Sequence, residues 1–450
     1  MVAPIGVGLL GFGNIGREVY AYLQEHPDGA RVVRIARRSA RKPAPATARK
    51  LITQRAQDVL RDPEVRIVVE LTGDGTKGAG YILDAIDNGK HVVTANKAAL
   101  SARWPEIMRR ARERGVSVGF SATAGGGMPV VRSMQRHAST DRVEGFAGIL
   151  NGTCNFILTR MTEFILRHLD DPDVQKRSLP LEQALAEAQR LGYAEPDPTF
   201  DLNGFDTKYK VAILANLAFG RHVDPESIYC EGIRTREQQI LPSDLYFLHH
   251  IRYLAGKYAL KLVGVARDVG GRPVLRVHPA LVERAGALGD LAAVNENYNG
   301  IVLRGERLGT QFIKGLGAGP KPTAISVASD IREIASSIAQ REGANGPAAP
   351  PAGRAAAPGD FRKVATRGFI RSFSPDTKGI YAKKLELLAK HRVNVQSMVN
   401  VSEFVYGRDR FMPDYIEIDP TPDGNVRAAL DALRLLRDVR DPMYFRVLEL

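Results

Sequence analysis

One acidic segment of the chain carries the residue types that acid–base chemistry needs. Between residues 192 and 210 the sequence places four carboxylates among prolines, and two lysines follow in a helical pattern. Asp206 and Lys210 are four residues apart, so a helix would put them on one face. A carboxylate beside a lysine suits an amino-bearing substrate and proton transfer near a hydroxyl. An acidic loop with an ordinary ion pair is an equally good interpretation of the composition.

A second candidate lysine, Lys97, ends the run Thr94-Ala-Asn-Lys97 after an apolar segment. Ligands bind at the carboxyl ends of the strands in open parallel sheets, so Lys97 could polarise an oxygen or move a proton there. The alternative is a surface lysine at a helix start. We favour it less, because the ammonium group would face the positive end of the helix dipole.

A glycine-rich turn predicts a dinucleotide site near the N-terminus. It follows an apolar run at residues 7–10 and opens a helical pattern at residues 15–23, which is the context that gives such a turn its meaning. The first glycine allows a tight turn, the second allows backbone to approach a pyrophosphate, and the third packs the helix on the strand. The expected cofactor contacts are Gly11, Phe12, Gly13, Asn14, Ile15 and Gly16.

The end of the second apolar run predicts which dinucleotide binds. The run ends in Arg37, Arg38 and Ser39, and no carboxylate is present to accept the ribose hydroxyls. An arginine fork suits a 2′-phosphate, so we expect NADP, with NAD as the alternative. The arginines could also be ordinary loop residues on the surface.

Short apolar runs alternate with helical patterns over the first 120 residues, which predicts βαβ units and a parallel sheet. The runs cover residues 5–10, 32–36, 67–71, 91–95 and 116–120. The middle region is richer in helical patterns, at residues 181–191, 211–219 and 246–255. A second glycine turn, Ala124-Gly-Gly-Gly-Met-Pro129, marks the junction between the two regions.

Residues 343–359 are almost entirely Ala, Gly and Pro, which predicts a flexible linker without a core of its own. After it, strand and helix patterns follow in the order βαββαβ, which matches a ferredoxin-like module. Those elements are expected at residues 368–373, 380–391, 395–401, 414–418, 426–436 and 443–448.

Composition narrows the protein class. The net charge is +13, but the basic residues are scattered and not interleaved with aromatics, so we expect no nucleic-acid partner. Only two cysteines occur, Cys154 and Cys230, which favours a reducing, cytoplasmic location. We expect no signal peptide, because the N-terminus lacks a basic region and cleavage site. No apolar run is long enough to predict a membrane helix.

Taken together, these features resemble the homoserine dehydrogenase family over nearly the whole chain. The segments that carry the resemblance are residues 6–16, 70–73, 89–97, 124–129, 148–153, 192–210 and 320–324. The resemblance implies hydride transfer between NAD(P)H and L-aspartate 4-semialdehyde to give L-homoserine, a step of threonine and methionine biosynthesis. It also implies a homodimer or homotetramer.

The resemblance implies a role for each site residue. Lys97 and Lys210 match the family's paired catalytic lysines, and a lysine with a lowered pKa would serve best as the base for the substrate hydroxyl. Asp206 matches the residue that orients that hydroxyl. Glu195, with Asp201 beside it, matches the contact to the substrate ammonium group. Gly192 and Tyr193 belong to the same substrate segment, and Thr72, Lys97 and Gly317 are expected at the cofactor.

Two departures from the family affect the expected chemistry. The family often has an acidic residue where Ser121 stands, in a monovalent-cation site built mainly from backbone oxygens. The corresponding positions are Ser121, Ala124, Gly126 and Met128. Because Ser121 offers an oxygen without a charge, the sequence leaves open whether a cation binds here. Cys154 replaces a usual threonine, and we interpret it as a small buried residue rather than a nucleophile.

The expected architecture is therefore α/β in three parts. A Rossmann dinucleotide-binding domain covers residues 1–130, and a helix near residues 322–340 returns to it. A catalytic and dimerisation domain covers 131–320, a linker 341–362, and a ferredoxin-like module of the ACT type 363–450. In relatives such a module senses an end-product amino acid, commonly threonine.

Two other functions are compatible with the same residues. The chain could be another NADP-dependent amino-acid semialdehyde dehydrogenase. Glu195 and Asp206 discriminate, because they should matter for a substrate with an ammonium group, and activity should be lost with the deaminated analogue. It could also be a catalytically silent amino-acid sensor, although the presence of both Lys97 and Lys210 argues against this.

We expect Arg38→Asp to shift cofactor preference from NADP towards NAD, because a carboxylate repels a 2′-phosphate and accepts ribose hydroxyls. The measurement is kcat/KM with each cofactor under identical conditions. An unchanged ratio would mean that the 2′-phosphate binds elsewhere.

Overall fold

A computed structural model describes residues 4–39, 43–235, 238–340, 349–350, 353–355, 357–406 and 410–450. The expected linker lies partly outside the described residues, because 341–348, 351–352 and 356 are not among them. Within the described ranges, no helix is both long and apolar enough to cross a membrane.

The N-terminal region forms a parallel sheet with the strand order β3-β2-β1-β4-β5-β6. This is the doubly wound order of dinucleotide-binding domains. Buried apolar side chains on both faces explain why the strands form near-continuous hydrophobic runs. The elements are β1 (Ile5–Leu10), α1 (Asn14–Glu25), β2 (Ala30–Ala36), α2 (Ala46–Arg49), β3 (Ile52–Thr53), α3 (Gln57–Leu60), β4 (Ile67–Glu70), α4 (Gly75–Asp87), β5 (His91–Thr94), α5 (Lys97–Ala102), α6 (Trp104–Glu113) and β6 (Val118–Gly119).

The middle region combines helices with a large, mostly antiparallel sheet. Its last helix, α15, returns to the N-terminal region and packs its apolar face against α1 and the parallel sheet. The elements are α7 (Val130–Thr140), β7 (Val143–Ile149), α8 (Gly152–Arg167), α9 (Val174–Arg177), α10 (Leu181–Arg190), α11 (Thr199–Leu202), α12 (Phe205–Phe219), β8 (Arg221–His222), β9 (Tyr229–Cys230), α13 (Pro242–His250), β10 (Tyr258–Val269), β11 (Arg272–Glu283), α14 (Gly289–Ala292), β12 (Tyr298–Gly305), β13 (Gly309–Leu316) and α15 (Pro320–Gln340).

The helical patterns of the middle region did not predict this sheet. β10 and β11 form a long hairpin around Gly270 and Gly271, whose φ angles of 59° and 77° suit glycine. Both strands are buried on both faces over most of their length, so they lack the alternation by which a half-exposed strand is recognised.

The C-terminal region has the connectivity βαββαβ and the strand order β18-β15-β17-β16, with both helices packed on one face. Its elements are β14 (Arg354–Ala355), β15 (Ala365–Ser374), α16 (Ile380–Lys390), β16 (Val395–Asn400), β17 (Met412–Pro422), α17 (Asp423–Arg434) and β18 (Arg440–Val447).

The C-terminal region is not a structurally separate module, contrary to the expectation from the linker composition. β18 pairs in parallel with β11, so one sheet runs through both regions. The fully buried Arg371 of β15 also pairs with Asp244 of α13 at 2.7 Å. A buried ion pair across the junction fixes the two regions together, because separating them would leave charges without partners.

The described part of the Ala/Gly/Pro segment packs against the middle region. Arg354–Ala355 pairs with Arg221–His222, and the Gly359 N–H donates to the Pro273 carbonyl at 2.9 Å. Such a segment cannot form a core of its own. Its backbone can still pair with a strand, since backbone hydrogen bonds need no large side chains.

Candidate active site

The glycine turn is built as dinucleotide binding requires. Gly11 has φ of 110°, and a Cβ there would meet the Leu71 carbonyl oxygen at 2.6 Å. A Cβ on Gly16 would meet the Gly11 carbonyl oxygen at 2.5 Å, so α1 packs tightly on the turn. Gly13 begins the helix and faces open space, which leaves the backbone accessible to an anion.

Arg37 and Arg38 lie at the same edge of the sheet as this turn. The Gly11 N–H donates to the carbonyl of Ala36, the last residue of β2, at 2.9 Å. The two arginines follow directly, and Arg38 is exposed. The chain therefore brings the positions of Arg37 and Arg38 to the edge of the sheet that carries the glycine turn.

Lys97 is positioned by a capped helix start at the carboxyl end of β5. The Asn96 side chain accepts the Ala99 N–H at 3.1 Å, and this cap makes Lys97 the first residue of α5. The unfavourable helix dipole expected at Lys97 is offset by a neighbouring carboxylate, because Lys97 Nζ lies 3.1 Å from Asp206 Oδ1.

Asp206 and Lys210 share one face of α12. Lys210 Nζ lies 2.8 Å from Asp206 Oδ2 and donates to the Leu150 carbonyl at 2.6 Å. Asp206 therefore receives one ammonium group on each carboxylate oxygen, Lys97 from the dinucleotide domain and Lys210 from its own helix. Gly204, with φ of 83°, turns the chain into α12.

A second carboxylate is joined to this cluster by Asn151. The Asn151 amide donates to Asp201 Oδ1 at 2.8 Å and to Asp206 Oδ2 at 2.9 Å, while its oxygen caps α8. The Thr153 hydroxyl donates to the Tyr193 carbonyl at 2.7 Å, and its oxygen lies 3.1 Å from Asp201 Oδ2, so the one proton lies between two acceptors. These contacts hold the acidic segment against the start of α8.

Charge pairing decides the protonation states in the cluster. Burial acts to raise the pKa of the Asp206 carboxyl, but the ammonium groups of Lys210 and Lys97 outweigh it and hold the pKa well below its usual value. Asp206 in turn raises the pKa of Lys97 above its ordinary 10.5, despite the opposing effect of burial. The expectation of a lowered pKa is wrong for Lys97, because a shared carboxylate outweighs desolvation.

The remaining substrate residues form an exposed rim. Gly192, Tyr193 and Glu195 are exposed, and the Glu195 carboxylate contributes to the raised pKa of Lys97. Phe200 covers one side of Lys97, with the ammonium nitrogen 5.7 Å from the ring centroid. The rim therefore combines negative charge with an aromatic wall.

Residues at the second glycine turn do not fit a cation site. Ser121 Oγ donates to Asp330 Oδ1 at 2.6 Å, and the Arg132 guanidinium lies 3.5 Å from the same hydroxyl. The Gly126 carbonyl accepts from Ser326 at 2.6 Å. A positive guanidinium beside Ser121 disfavours a second cation. No cluster of three or more His, Cys, Asp or Glu suited to a metal occurs within the described ranges.

The other candidate residues at this turn and in α8 are buried or tightly packed, as residues with a purely structural role are. Ala124 and Met128 are buried, and a Cβ on Gly126 would meet the Gly317 carbonyl carbon at 2.5 Å. Gly317 therefore packs against this turn. Cys154 is fully buried, and burial raises the pKa of its thiol, so it is not poised as a nucleophile.

Glu70 is the main functional candidate to which sequence reasoning assigned no role. Its fully buried carboxylate accepts from the Thr72 N–H at 2.8 Å and from the Thr94 hydroxyl at 2.8 Å. The Asn96 amide lies 3.4 Å from Oε1. Glu70 thus ties the expected cofactor loop to the cap of the Lys97 helix. A carboxylate ending an apolar run was the available signal.

Together, the dinucleotide fold and the lysine–carboxylate cluster define a nicotinamide-dependent oxidoreductase acting on a CH–OH group. Comparisons with known proteins give the family. Residues 11–121 match the family model "Homoserine dehydrogenase, NAD binding domain", and residues 129–331 match the model "Homoserine dehydrogenase".

Full-length relatives agree with the family models. The homoserine dehydrogenase of Pseudomonas aeruginosa is 32% identical over 450 residues, covering 98% of both chains. The crystal structure of a homoserine dehydrogenase from Thiobacillus denitrificans is 31% identical, with a TM-score of 0.83 and 99% coverage of both chains. A hyperthermophilic archaeal homoserine dehydrogenase in complex with NADPH shares the fold, with 23% identity and a TM-score of 0.58. The match covers 73% of the present chain and 97% of the archaeal one.

The chain belongs to the homoserine dehydrogenase family. Its reaction is the NAD(P)-dependent interconversion of L-aspartate 4-semialdehyde and L-homoserine. The expected α/β fold with an N-terminal NAD-binding domain and a catalytic domain is confirmed. The family membership therefore favours this reaction over the two alternatives, a different semialdehyde substrate and a catalytically silent sensor.

Glu70→Gln should lower kcat by about 10- to 100-fold, because the amide cannot accept from both loops and Lys97 would lose its position. Stability should fall by about 1–3 kcal/mol from the unsatisfied buried donors. Steady-state kinetics and urea unfolding measure the two effects.

Asp414→Asn is the matched control. Asp414 is equally buried but pairs with Lys384 in the C-terminal region, so its loss should reduce stability without changing kcat. Equal effects of the two variants on kcat would show that Glu70 acts only through stability.

Proposed function

We propose that Lys97, Lys210 and Asp206 carry the chemistry of this reaction, with NADP as the preferred cofactor. The observation that carries the proposal is the single Asp206 carboxylate shared by two lysines, at 3.1 Å and 2.8 Å. A buried carboxylate with two ammonium neighbours offers both a hydrogen-bond acceptor and proton donors to one substrate oxygen.

The charged lysines suit reduction of the semialdehyde. The nicotinamide supplies the hydride to the carbonyl carbon, and the carbonyl oxygen then needs a proton. The ammonium group of Lys97 or Lys210 donates that proton, and Asp206 orients the forming hydroxyl. The Lys97 side chain is 30% exposed to solvent and the Lys210 side chain 9%, so we assign proton exchange with solvent to Lys97.

Oxidation of homoserine requires the reverse step, in which a lysine must first lose its proton. Asp206 raises the pKa of Lys97 above its ordinary 10.5. The neutral form of Lys97 is therefore scarce at neutral pH and becomes more abundant as the pH rises.

The acidic rim supports recognition of the substrate ammonium group. Glu195 is exposed near Lys97, and Asp201 lies beside it in the cluster. We assign Glu195 to the ammonium group, with Asp201 supporting it from the Asn151 network. Gly192 and Tyr193 shape the backbone at this rim.

The NADP preference rests on Arg37 and Arg38 beside the phosphate turn. A planar guanidinium can hold a 2′-phosphate through two parallel hydrogen bonds. The NADPH bound to the archaeal relative supports the same choice. Thr72, Lys97 and Gly317 are assigned to the remaining cofactor surface.

We assign residues 363–450 to a regulatory module of the ACT type, with threonine as its effector. The βαββαβ connectivity supports this assignment. A homodimer or homotetramer is supported by β13, an edge strand of the large sheet flanked by the exposed Leu308 and Leu316. Free cysteines at 154 and 230 support a cytoplasmic location.

Lys210→Ala should reduce kcat by about 10²- to 10⁴-fold, the usual contribution of a positioned general acid or base, while leaving NADP affinity nearly unchanged. The test follows NADP reduction with L-homoserine and measures cofactor binding separately.

Lys208→Ala is the matched control on the same helix. Lys208 is also buried but pairs with Glu226 at 3.0 Å, outside the cluster, so its kcat should stay near wild type. Wild-type turnover in Lys210→Ala would refute the assigned role.

The pH dependence of oxidation should follow Lys97. We expect kcat/KM for homoserine to rise about tenfold per pH unit, without a plateau below pH ~10, because only the neutral lysine accepts the proton. Lys97→Arg keeps the ion pair but cannot release its proton, so oxidation should be nearly abolished. A plateau at neutral pH in the wild type would contradict this assignment.

A further inference from the structure

An ion-pair cluster at the second glycine turn, residues 124–129, joins three elements that are distant in sequence. Asp330 belongs to α15, and its side chain is only 5% exposed. Arg132 belongs to α7, and its guanidinium lies 3.0 Å from Asp330 Oδ1 and 2.7 Å from Glu333 Oε2. Ser121 follows β6 and donates to the Asp330 carboxylate from its N–H at 2.8 Å and from its hydroxyl at 2.6 Å. The chemistry proposed for the lysine cluster uses none of these side chains.

These contacts leave little freedom to the segment that enters the turn. A Cβ on Gly119 would meet Asp330 Cβ at 2.8 Å, so α15 packs directly against the end of β6. Asp330 Oδ1 accepts both the Ser121 hydroxyl and an N–H of Arg132, and Arg132 Nε lies 3.5 Å from the Ser121 oxygen. A carboxylate this deeply buried is costly without a positive partner. Arg132 therefore compensates the charge of Asp330.

The same helix also holds the turn itself. The Ser326 hydroxyl of α15 donates to the carbonyl of Gly126, whose φ of 57° suits glycine. The Gly127 N–H donates to the Leu316 carbonyl at 3.1 Å, and a Cβ on Gly126 would meet the Gly317 carbonyl carbon at 2.5 Å. The turn therefore packs against the backbone at Gly317, which is assigned above to the cofactor surface.

The charges at position 121 differ from those that the family resemblance implies, an acidic side chain beside a bound monovalent cation. Here Asp330 supplies the carboxylate next to Ser121, and Arg132 supplies the positive charge. A guanidinium is always charged and is held by its hydrogen bonds, so it neutralises a carboxylate without an ion from solution. Glu333 is 54% exposed, so water screens its charge. A second cation beside Arg132 would be repelled.

We propose that Arg132 is a positioning residue that takes the place of a monovalent cation at this turn. Through Asp330 and Ser121 it fixes the turn, and the turn fixes the backbone at Gly317. Turnover is then independent of which monovalent cation the solution contains. The internal charge does not depend on the function proposed for the lysine cluster. Its effect on cofactor affinity rests on the proposed function, because Gly317 is assigned to the cofactor there.

Salt substitution on the wild-type enzyme is the first test, because it needs no variant. The values of kcat, KM for NADP and the thermal midpoint Tm are measured in sodium, potassium and tetramethylammonium chloride at equal ionic strength. The methyl groups of tetramethylammonium keep its charge away from oxygen ligands. We expect the three salts to give the same values. A saturable rise in kcat or Tm with sodium or potassium would overturn the proposal.

Arg132→Ala should create the cation requirement that the wild type lacks. In tetramethylammonium chloride the variant should have a lower Tm and should bind NADP about tenfold or more weakly, because charged hydrogen bonds to Asp330 are lost. Low concentrations of sodium, potassium or guanidinium ions should restore much of both, since each ion supplies the missing positive charge. Fluorescence titration without substrate measures the affinity for NADP.

Two outcomes of this experiment would overturn the proposal. Wild-type Tm and wild-type affinity of Arg132→Ala in tetramethylammonium chloride would show that Arg132 does not position the turn. Losses that none of the added ions restores would show that Arg132 acts through packing rather than through its charge. If the ions restore Tm while affinity for NADP never changed, the internal charge stands and the assignment of Gly317 to the cofactor fails.

Two further variants are the controls. Arg132→Lys keeps a positive charge, so it should retain most of the affinity and should respond equally to the three salts. Arg136→Ala removes an exposed arginine one turn further along α7 and should behave as the wild type in every salt. A cation response of Arg136→Ala equal to that of Arg132→Ala would refute a specific role for Arg132.

Discussion

The buried carboxylate of Asp206 is the constraint on which the rest of the site depends. A carboxylate that is only 6% exposed is costly unless positive charge compensates it, and two lysines do so from opposite sides. Lys210 comes from the same helix, but Lys97 comes from the dinucleotide domain. The ion pairs therefore require the two domains to meet in one arrangement, and that arrangement brings the expected cofactor edge to the substrate groups.

Hydrogen bonds from uncharged donors hold the carboxylates and, through them, the lysines in place. Glu70 links the loop at Thr72 with Thr94 and Asn96, so the strand ends β4 and β5 act as one unit behind Lys97. On the other side, Asn151 bridges both carboxylates. These supporting residues keep the lysines and Asp206 at hydrogen-bond distance before any substrate arrives, which lowers the cost of orienting it.

The C-terminal region is joined to this machinery more closely than its composition suggests. The β11–β18 pairing makes one continuous sheet, and the buried pairs of Arg371 and Arg446 cross the junction. β9 pairs with β11, and the Cys230 thiol donates to the carbonyl of Asn203, which precedes α12, so the large sheet also contacts the start of the helix that carries Asp206.

The sequence by itself determined the local features: the parallel strands, the glycine turn, the Asp206–Lys210 spacing and the βαββαβ order. These follow from periodicity and glycine geometry, which act over a few residues. The family resemblance supplied Lys97 as a partner. Only the tertiary structure decided that Lys97 meets Asp206 and has a raised pKa, that Glu70 supports it, and that the β10–β11 hairpin exists. Each of these depends on contacts between distant segments, and a fully buried strand shows no alternation to reveal it.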